Sequence, residues 1–265
     1  MNNLTINTIL LIISAVLPTI LIFFYVNLKD KHKESLITLL SLFFFGALSS
    51  LGVLAVSYIL NITFPFLVKD IQSMNMIQLG IKTFVEIALI EELFKWLIVY
   101  FFGYKNKEFD ETYDIIIYSI VVSLGFATLE NILYVLQDNT FKTALFRALT
   151  SVPGHVAFGT FMGYFLCISK IYRIKSNKKE INNLLKAIIV PTILHGIYDF
   201  CVMSNLKSFS YFFVIYIIVL FIIAFLRLKE IYELNVQIIK LDKICPKSRI
   251  KYKGLLCPKC NKRHE

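Results

Sequence analysis

Charged residues are scarce in this chain of 265 residues: Asp, Glu, Lys and Arg make up 17% of it, whereas 57% is hydrophobic. Soluble domains are about a quarter charged and about 45–50% apolar. A water-soluble domain of this length could not bury so much apolar surface, so the composition excludes a soluble enzyme. The net charge is nevertheless +10, which is compatible with nucleic acid or an anionic membrane as a partner. The positions of the charges must decide between them.

The sequence also lacks internal repeats, low-complexity tracts and linkers rich in Pro, Gly or Ser. Its one compositional break is near Arg227, where apolar sequence gives way to a basic tail. We therefore predict a membrane domain at 1–226, with its core motifs at 77–204, and a cytoplasmic tail at 227–265. No basic region precedes the first apolar segment and no small-residue cleavage site follows it. We interpret that segment as a retained helix and not as a signal peptide.

Seven stretches are long and apolar enough to cross a bilayer, which takes about 20 residues of helix. They are 4–27, 36–60, 77–102, 114–137, 143–169, 184–204 and 208–226. The predicted fold class is thus all-α, a polytopic transmembrane helix bundle of about seven spans with a short basic tail. Twenty-one basic residues lie in the tail and in the loops on the same side of the predicted spans, and three lie in the loops on the other side. Since basic residues favour the cytoplasmic side, the N-terminus is predicted outside and the C-terminus in the cytoplasm.

Ionisable residues remain inside four of these spans, where each costs several kcal/mol unless it has a function or a partner. The predicted cluster comprises Glu91, Glu92, Lys95, Glu130, His155, His195 and Asp199. Counting about 1.5 Å per residue from the cytoplasmic helix ends places five of them, Glu91, Glu130, His155, His195 and Asp199, about 16–24 Å deep. We therefore expect them to face a common cavity. Glu86 lies about 140° around its helix from Glu91, so we leave it out of the site and assign it a separate contact or a lining role.

Spacing within the helices is consistent with this cluster. Lys95 lies four residues after Glu91 and three after Glu92, so it can neutralise either carboxylate on one helix face. His195 and Asp199 are four residues apart, which suits two metal ligands, or one ligand and its orienting carboxylate. Taken singly, Lys95 could form a structural ion pair, His155 could be a hydrogen-bonded core histidine, and Asp199 could make a polar contact near the outer interface.

Together these residues indicate a hydrolytic centre. Catalytic zinc is held by three His, Asp or Glu ligands, and a nearby carboxylate can accept a proton from the bound water. No serine or cysteine is placed beside the histidines as a nucleophile, since Cys167 and Cys201 lie near opposite ends of their spans.

Other features predict local structure. Lys82, Arg147 and Lys186 lie near span ends and are expected to extend their charges to the interface. Gly159 and Gly163, one turn apart, predict a close approach between two helices. Pro153-Gly154 is expected to open the backbone of the fifth span, and Pro191 to kink the sixth.

Four motifs lie in order on successive helices: Glu91-Glu92-x-x-Lys95, Phe126-x-x-x-Glu130, His155-x-x-x-Gly159 and His195-x-x-x-Asp199. In this order they resemble the PrsW family of intramembrane proteases. That family belongs to a clan with the CAAX prenyl endopeptidases and bacteriocin-immunity proteins. The resemblance runs from about Ile77 to Asp199. In the CAAX branch the second motif ends in His, so Glu130 favours the PrsW branch.

The resemblance implies a multi-pass protease of the bacterial cell membrane. Such a protease makes a site-1 type cut in a single-span anti-sigma factor, or in another membrane-protein substrate, and thereby activates a stress response. Carried over by position, Glu91 and Glu92 activate the attacking water, and the other motif residues hold a metal or stabilise the tetrahedral intermediate. The predicted catalytic residues are Glu91, Glu92, Lys95 and Glu130, and the predicted metal ligands are His155, His195 and Asp199. Zinc or another divalent metal is the favoured cofactor, and a glutamate-type protease is the alternative.

The tail contains Cys245, the knuckle Cys257-Pro258-Lys259-Cys260, and His264. These four ligands could bind a structural zinc, or the cysteines could be free thiols. The basic residues of the tail are expected to rest on anionic lipid, and nucleic acid is the weaker candidate.

Two functions from other classes stay open at this point. Buried carboxylates, lysine and histidines also form proton or ion relays in coupled transporters, although no inverted repeat is visible here. The chain could alternatively be an inactive sensor or scaffold.

Overall fold

The structure is a computed structural model that describes residues 3–30, 33–106, 109, 111–172, 177–204, 206–234, 243–244 and 251–252. These residues are almost all helical. The α-helices are α1 (Asn3–Lys29), α2 (Leu36–Thr63), α3 (Met76–Ile81), α4 (Ile90–Ile98), α5 (Asp114–Asp138), α6 (Phe141–Leu149), α7 (Ser151–Tyr172), α8 (Asn177–Met203) and α9 (Lys207–Leu234). Two short antiparallel strands, β1 (Lys243–Ile244) and β2 (Lys251–Tyr252), pair with Lys243 opposite Tyr252.

Helices α3 and α4 belong to one continuous helical segment. A π-helical stretch, Lys82–Leu89, joins them, and a second, Val99–Tyr104, follows α4. Wider π-helical turns are rare and frequently occur at functional sites. The segment carries the first predicted motif directly after the first π-helical stretch. It lies against α8 and α2, so its charged face is turned into the bundle.

Six helical regions in the described part of the chain are long and apolar enough to cross a membrane. They are Ile6–Lys29, Leu36–Thr63, Asp114–Asp138, Phe141–Tyr172, Asn177–Met203 and Lys207–Glu233. The predicted third span, 77–102, is helical throughout but contains too many charges to join this group. The prediction of a helical polytopic membrane bundle is therefore confirmed, and seven remains an approximate count.

Helix α5 forms the centre of the bundle. Every residue from Asp114 to Thr128 is buried, because α1, α2 and α7 pack around it. Helix α7 lies between α5 and α8, and α9 packs on the outside of α7 and α8. Many large apolar side chains of α1, α2 and α9 are exposed, for example Leu21, Ile37 and Ile215. This is the pattern expected of helices that face lipid, where apolar side chains have no reason to turn inward.

Gly159 and Gly163 provide the close contact of α7 with α5, as the sequence predicts. A Cβ atom on Gly163 would lie 2.6 Å from the Cα of Ile116, and one on Gly159 would lie 2.9 Å from the carbonyl oxygen of Ser119. Only glycine permits this separation of the two backbones. The contact matters for the site because α5 and α7 each contribute a residue to it.

We expect Gly163→Leu to lower the free energy of unfolding by at least about 1–3 kcal/mol, because the added side chain forces α7 away from α5. The matched control is Gly80→Leu, since a Cβ at Gly80 meets nothing within 4 Å. Thermal unfolding in detergent measures both. Equal midpoints for the two variants would contradict the assigned packing.

The predicted fifth span consists of two helices. Helix α6 ends at Leu149, Thr150 separates it from α7, and Pro153 lies in the first turn of α7. The first turn has backbone N–H groups without helical partners, so proline is tolerated there. The backbone opening expected at Pro153-Gly154 is thus misplaced: the break lies at Thr150.

At the other end of the bundle, α9 continues to Leu234, about two turns beyond Arg227. The division of the chain at 226 stays a prediction.

Candidate active site

The residues predicted as catalytic or metal-binding form one connected cluster. Glu91, Glu92 and Lys95 come from α4, Glu130 from α5, His155 from α7, and His195 and Asp199 from α8. Six of the seven are buried, and Glu130 is partly exposed. The tertiary structure therefore brings the four motifs to one place, while the role of each residue remains a prediction.

Lys95 occupies the interior of the cluster with a fully buried side chain. Its Nζ atom lies 2.8 Å from Oε1 of Glu92, 3.4 Å from Oε2 of Glu91 and 3.0 Å from Nδ1 of His155. The ammonium also lies 4.3 Å from the centroid of the Phe126 ring. An ammonium group has three protons to donate, and here each has an acceptor. A lysine buried inside a span needs partners for its charge, and Lys95 has them in Glu91, Glu92 and His155.

His155 connects Lys95 with Glu130. Its Nε2 atom lies 2.8 Å from Oε2 of Glu130. Because the ammonium donates to Nδ1, the proton of the neutral ring belongs on Nε2, from which it is donated to Glu130. His155 is therefore arranged as a proton carrier, and it can bind a cation through Nε2 only after that proton has left.

His195 has the opposite arrangement. Its Nδ1 atom lies 3.0 Å from Oε1 of Glu92, and the ring of Phe158 stacks on it at a centroid separation of 4.7 Å. A carboxylate on Nδ1 fixes the proton there and leaves the Nε2 lone pair available, as in histidines that bind metals. That Nε2 atom lies 3.4 Å from Oδ2 of Asp199 and 3.9 Å from Oε2 of Glu91.

A cavity of about 580 Å³ reaches the cluster. Glu130, His155, His195 and Asp199 line it, and exposed Asp138 and Lys142 border its mouth. Water and a peptide segment can thus reach one side of the cluster. The mouth lies at the C-terminal ends of α5 and α8, on the side that the basic residues predict to be outside.

The side chain of Glu91 is 8% exposed but does not line this cavity. Glu92 and Lys95 do not line it either, and their side chains have no exposed surface. They lie behind the two histidines. Their geometry suits positioning and neutralising better than direct contact with a substrate.

The donor set fits a divalent cation. Ligand atoms of Glu91, Glu130 and His155 lie within 4.8 Å of one another. Oδ2 of Asp199 is buried and has no hydrogen-bond partner among the residues that the structure describes. Four carboxylates in the cluster face two cationic side chains, one of them Lys95, so full ionisation leaves a net charge of −2. A divalent cation would balance that charge.

The second cation is Arg147 of α6, which the sequence analysis did not assign to the site. Its Nη2 atom lies 3.0 Å from Oε2 of Glu130, and its Nε donates to Oδ1 of Asn131 at 2.6 Å. The expectation that Arg147 extends to the interface is therefore wrong. The sequence did contain a signal for this role of Arg147. Lys95 already neutralises charge on Glu91 and Glu92, so Glu130 within its span required another cation.

Lys82 is likewise held inside the protein. It binds Glu86 at 3.0 Å and the carbonyl oxygen of Leu67 at 2.8 Å. Glu86 thus has its own partner outside the cluster, as predicted. The predicted tail ligands Cys245, Cys257, Cys260 and His264 lie outside the described residues.

Comparison with known proteins agrees with the geometry. Residues 34–226 match the profile of the PrsW family intramembrane metalloproteases. The chain is 37% identical over 220 residues to a protein named Protease PrsW from Oceanobacillus iheyensis, covering 83% of this chain and 95% of the relative. It is 35% identical over 221 residues to Protease PrsW from Geobacillus kaustophilus, covering 83% and 91%.

Protease PrsW from Bacillus subtilis is 31% identical over 228 residues, covering 85% of this chain and 98% of the relative. No solved structure matches the chain. The match extends over the whole predicted catalytic region and most of the bundle, and the matched family has the activity that the buried cluster indicates. The chain belongs to the PrsW family of intramembrane metalloproteases and is a membrane peptidase.

Proposed function

We propose that this membrane peptidase makes a site-1 type cut in a single-span anti-sigma factor of the bacterial cell membrane, on the outer side of the bilayer. The cut would release a sigma factor and activate a stress response. Membership of a protease family favours hydrolysis over the transporter alternative. The observation that carries the proposal is the position of the cavity, which connects the buried cluster with the end of the bundle where α5 and α8 terminate.

The charge distribution supports an outward-facing cavity. Lys142 lies at the mouth of the cavity. It is one of three basic residues in the loops on that side of the predicted spans, whereas twenty-one lie in the tail and in the loops on the other side. Basic residues accumulate on the cytoplasmic side. A bond cut from this cavity would therefore lie near the outer end of a substrate helix. By the same rule, we infer that the basic tail rests on the anionic cytoplasmic leaflet.

Local geometry supports each proposed chemical role. Glu91 is the proposed general base, since its carboxylate adjoins both Glu130 and the Nε2 atom of His195. Glu92 holds the His195 ring by accepting from Nδ1, and Lys95 balances the two adjacent carboxylates. His155 and Glu130 share a proton at the cavity wall and can deliver it to the leaving nitrogen.

Glu91, Glu130, His195 and Asp199 would hold a divalent metal, with His155 as a further donor once its Nε2 proton has left. A bound metal would supply a Lewis acid and a water of lowered pKa. The proposed ligand set differs from the sequence-based set because Glu91 and Glu130 join it and because Lys95 occupies one nitrogen of His155.

The proposed substrate can be tested by co-expression. The full chain is produced with a single-span anti-sigma factor from the same genome, tagged at both ends, and the new terminus is identified by mass spectrometry. We expect one cut on the outer side of the substrate helix, lost with His195→Ala at equal protein level. An intact substrate, a cytoplasmic cut, or unchanged cleavage by His195→Ala would contradict the proposal.

Metal content gives a separate prediction. We expect the purified protein to contain about one divalent metal in the membrane site and about one zinc in the tail. His195→Ala should lose the first and retain the second, and Cys257→Ser/Cys260→Ser should do the reverse. Elemental analysis after removal of loosely bound metal measures both. Equal metal content in wild type and His195→Ala would favour the glutamate-type alternative.

A further inference from the structure

We propose that Arg147 is a catalytic residue that donates hydrogen bonds to the carbonyl oxygen of the scissile peptide and stabilises the oxyanion formed there. The inference deepens the proposed function and rests on its hydrolytic chemistry. It concerns a side chain outside the four sequence motifs, on a short helix that the sequence did not separate from α7.

The guanidinium group is held in one orientation by three residues of α5. Nε donates to Asn131, Nη2 lies 3.0 Å from Glu130, and Cζ lies 4.2 Å from the centroid of the Tyr134 ring. Glu130, Asn131 and Tyr134 lie on neighbouring turns of the helix, so the flat guanidinium is fixed at both an edge and a face. A donor that is already oriented loses little entropy when it binds a substrate oxygen.

Donor capacity remains after these contacts. A guanidinium has five N–H groups. Nε and Nη2 are turned to Asn131 and Glu130, and no residue in the described ranges accepts from Nη1, so its two N–H groups are still available. A substrate oxygen can accept from Nη1 while the contacts of Arg147 with Asn131 and Glu130 are kept.

The position of Arg147 fits a substrate carbonyl. Its side chain is 13% exposed and lines the cavity, as do Glu130, His155 and Asp199. A peptide whose carbonyl carbon faces the catalytic carboxylates thus has its carbonyl oxygen within the region that Arg147 borders. Lys142 also lines the cavity, but it lies at the mouth and is exposed. Of these two cations in the cavity lining, Arg147 is the one that pairs with a carboxylate of the cluster, Glu130.

Hydrolysis begins with attack of water on the scissile peptide. The water oxygen forms a bond to the carbonyl carbon, and the π electron pair of the C=O bond moves to the oxygen, which becomes an oxyanion held by Arg147. The carboxylate of Glu91 accepts the proton released from water. When the C–N bond breaks, its electron pair stays on nitrogen, which receives the proton shared by His155 and Glu130, and the carbonyl is restored. The proton held by Glu91 then replaces the one that this pair gave up. Arg147 exchanges no proton in this sequence.

A purely structural arginine would only neutralise Glu130. Arg147→Lys separates the two roles, because lysine keeps the positive charge but lacks the planar fork. We expect Arg147→Gln to lower kcat by about 10²–10³-fold with KM within about threefold, and Arg147→Lys to recover only part of kcat. Exposed Arg227 on α9 offers the matched control, Arg227→Gln, which should leave both constants unchanged.

A second measurement needs no cleavage. A phosphinic Leu-Ala pseudodipeptide carries a tetrahedral anionic centre, whereas the Leu-Ala amide has a flat carbonyl. Calorimetry on the full chain in detergent compares the two. We expect the wild type to prefer the phosphinate, and Arg147→Gln to weaken phosphinate binding about 100-fold while amide binding changes less than about threefold.

Three results would overturn the inference. They are a kcat of Arg147→Gln within threefold of wild type, equal weakening of both peptides, and a wild type without preference for the phosphinate. A wild type that leaves the anti-sigma factor intact but binds the phosphinate through Arg147 would instead refute the proposed substrate and retain the role of Arg147.

Discussion

Glu91→Gln should lower the rate of substrate cleavage by about 10²–10⁴-fold, whereas Glu86→Gln should leave it within about threefold of wild type. Glutamine has nearly the shape of glutamate but cannot accept the proton of the attacking water. It is also a weak ligand for a divalent cation. Both proposed roles of Glu91 are therefore lost in one substitution that conserves volume.

The two glutamates form a matched pair. They lie on the same continuous helical segment, both are buried, and each pairs with a lysine four residues away. The separation is 3.0 Å for Glu86 with Lys82 and 3.4 Å for Glu91 with Lys95. Neutralising either one leaves a lysine without that partner. A difference in activity between the two variants therefore reports the location of Glu91 in the cluster and not the loss of an ion pair.

The measurement is the initial rate of fragment release in proteoliposomes at equal amounts of folded protein. Comparable losses in both variants would indicate that the effect arises from helix packing. A fully active Glu91→Gln protein would refute the proposed general base and would make Glu130 the next candidate, since it lines the cavity and lies 2.8 Å from Nε2 of His155.

Lys95→Met should lower the free energy of unfolding by about 3–5 kcal/mol and abolish cleavage. The substitution leaves Glu91 and Glu92 buried without their cation, since Lys95 lies within 3.4 Å of both carboxylates and has no exposed surface. A buried carboxylate without a partner is far more costly than the loss of one surface ion pair. Cleavage is lost because uncompensated carboxylates take up protons or rearrange.

Lys82→Met is the control for stability, because Lys82 is 16% exposed and its partner Glu86 lies outside the cluster. It should cost clearly less than Lys95→Met. The double variant Glu92→Gln/Lys95→Met removes one charge of each sign and should regain part of the stability without regaining activity. Thermal unfolding in detergent and the cleavage assay measure the two properties. A Lys95→Met protein as stable as Lys82→Met would mean that the acidic residues do not depend on this lysine.

The sequence predicted the bundle and the composition of the site because both depend on local patterns. Long apolar stretches identify the spans, and a charge inside such a stretch stands out because its burial is costly. Spacing of three or four residues placed Lys95 beside Glu91 and Glu92, and the structure has both contacts. Gly159 and Gly163 similarly indicated a close helix contact, although the pattern did not identify α5 as the partner.

Tertiary structure decided how the cluster is divided. The spacing of His195 and Asp199 was equally compatible with several roles. Only contacts between helices show that Glu92 and Lys95 lie on one side of the two histidines and that the cavity lies on the other.

Arg147 is the clearest example of what local patterns miss. Its position near a predicted span end suggested an interfacial charge, but the helix break at Thr150 makes α6 a separate element beside α5. By itself, the sequence determined which polar residues enter the membrane, because hydrophobicity and helical period are properties of neighbouring residues. The tertiary structure alone decided which polar side chains line the cavity and which hold their neighbours, because hydrogen bonds between helices depend on how the helices pack.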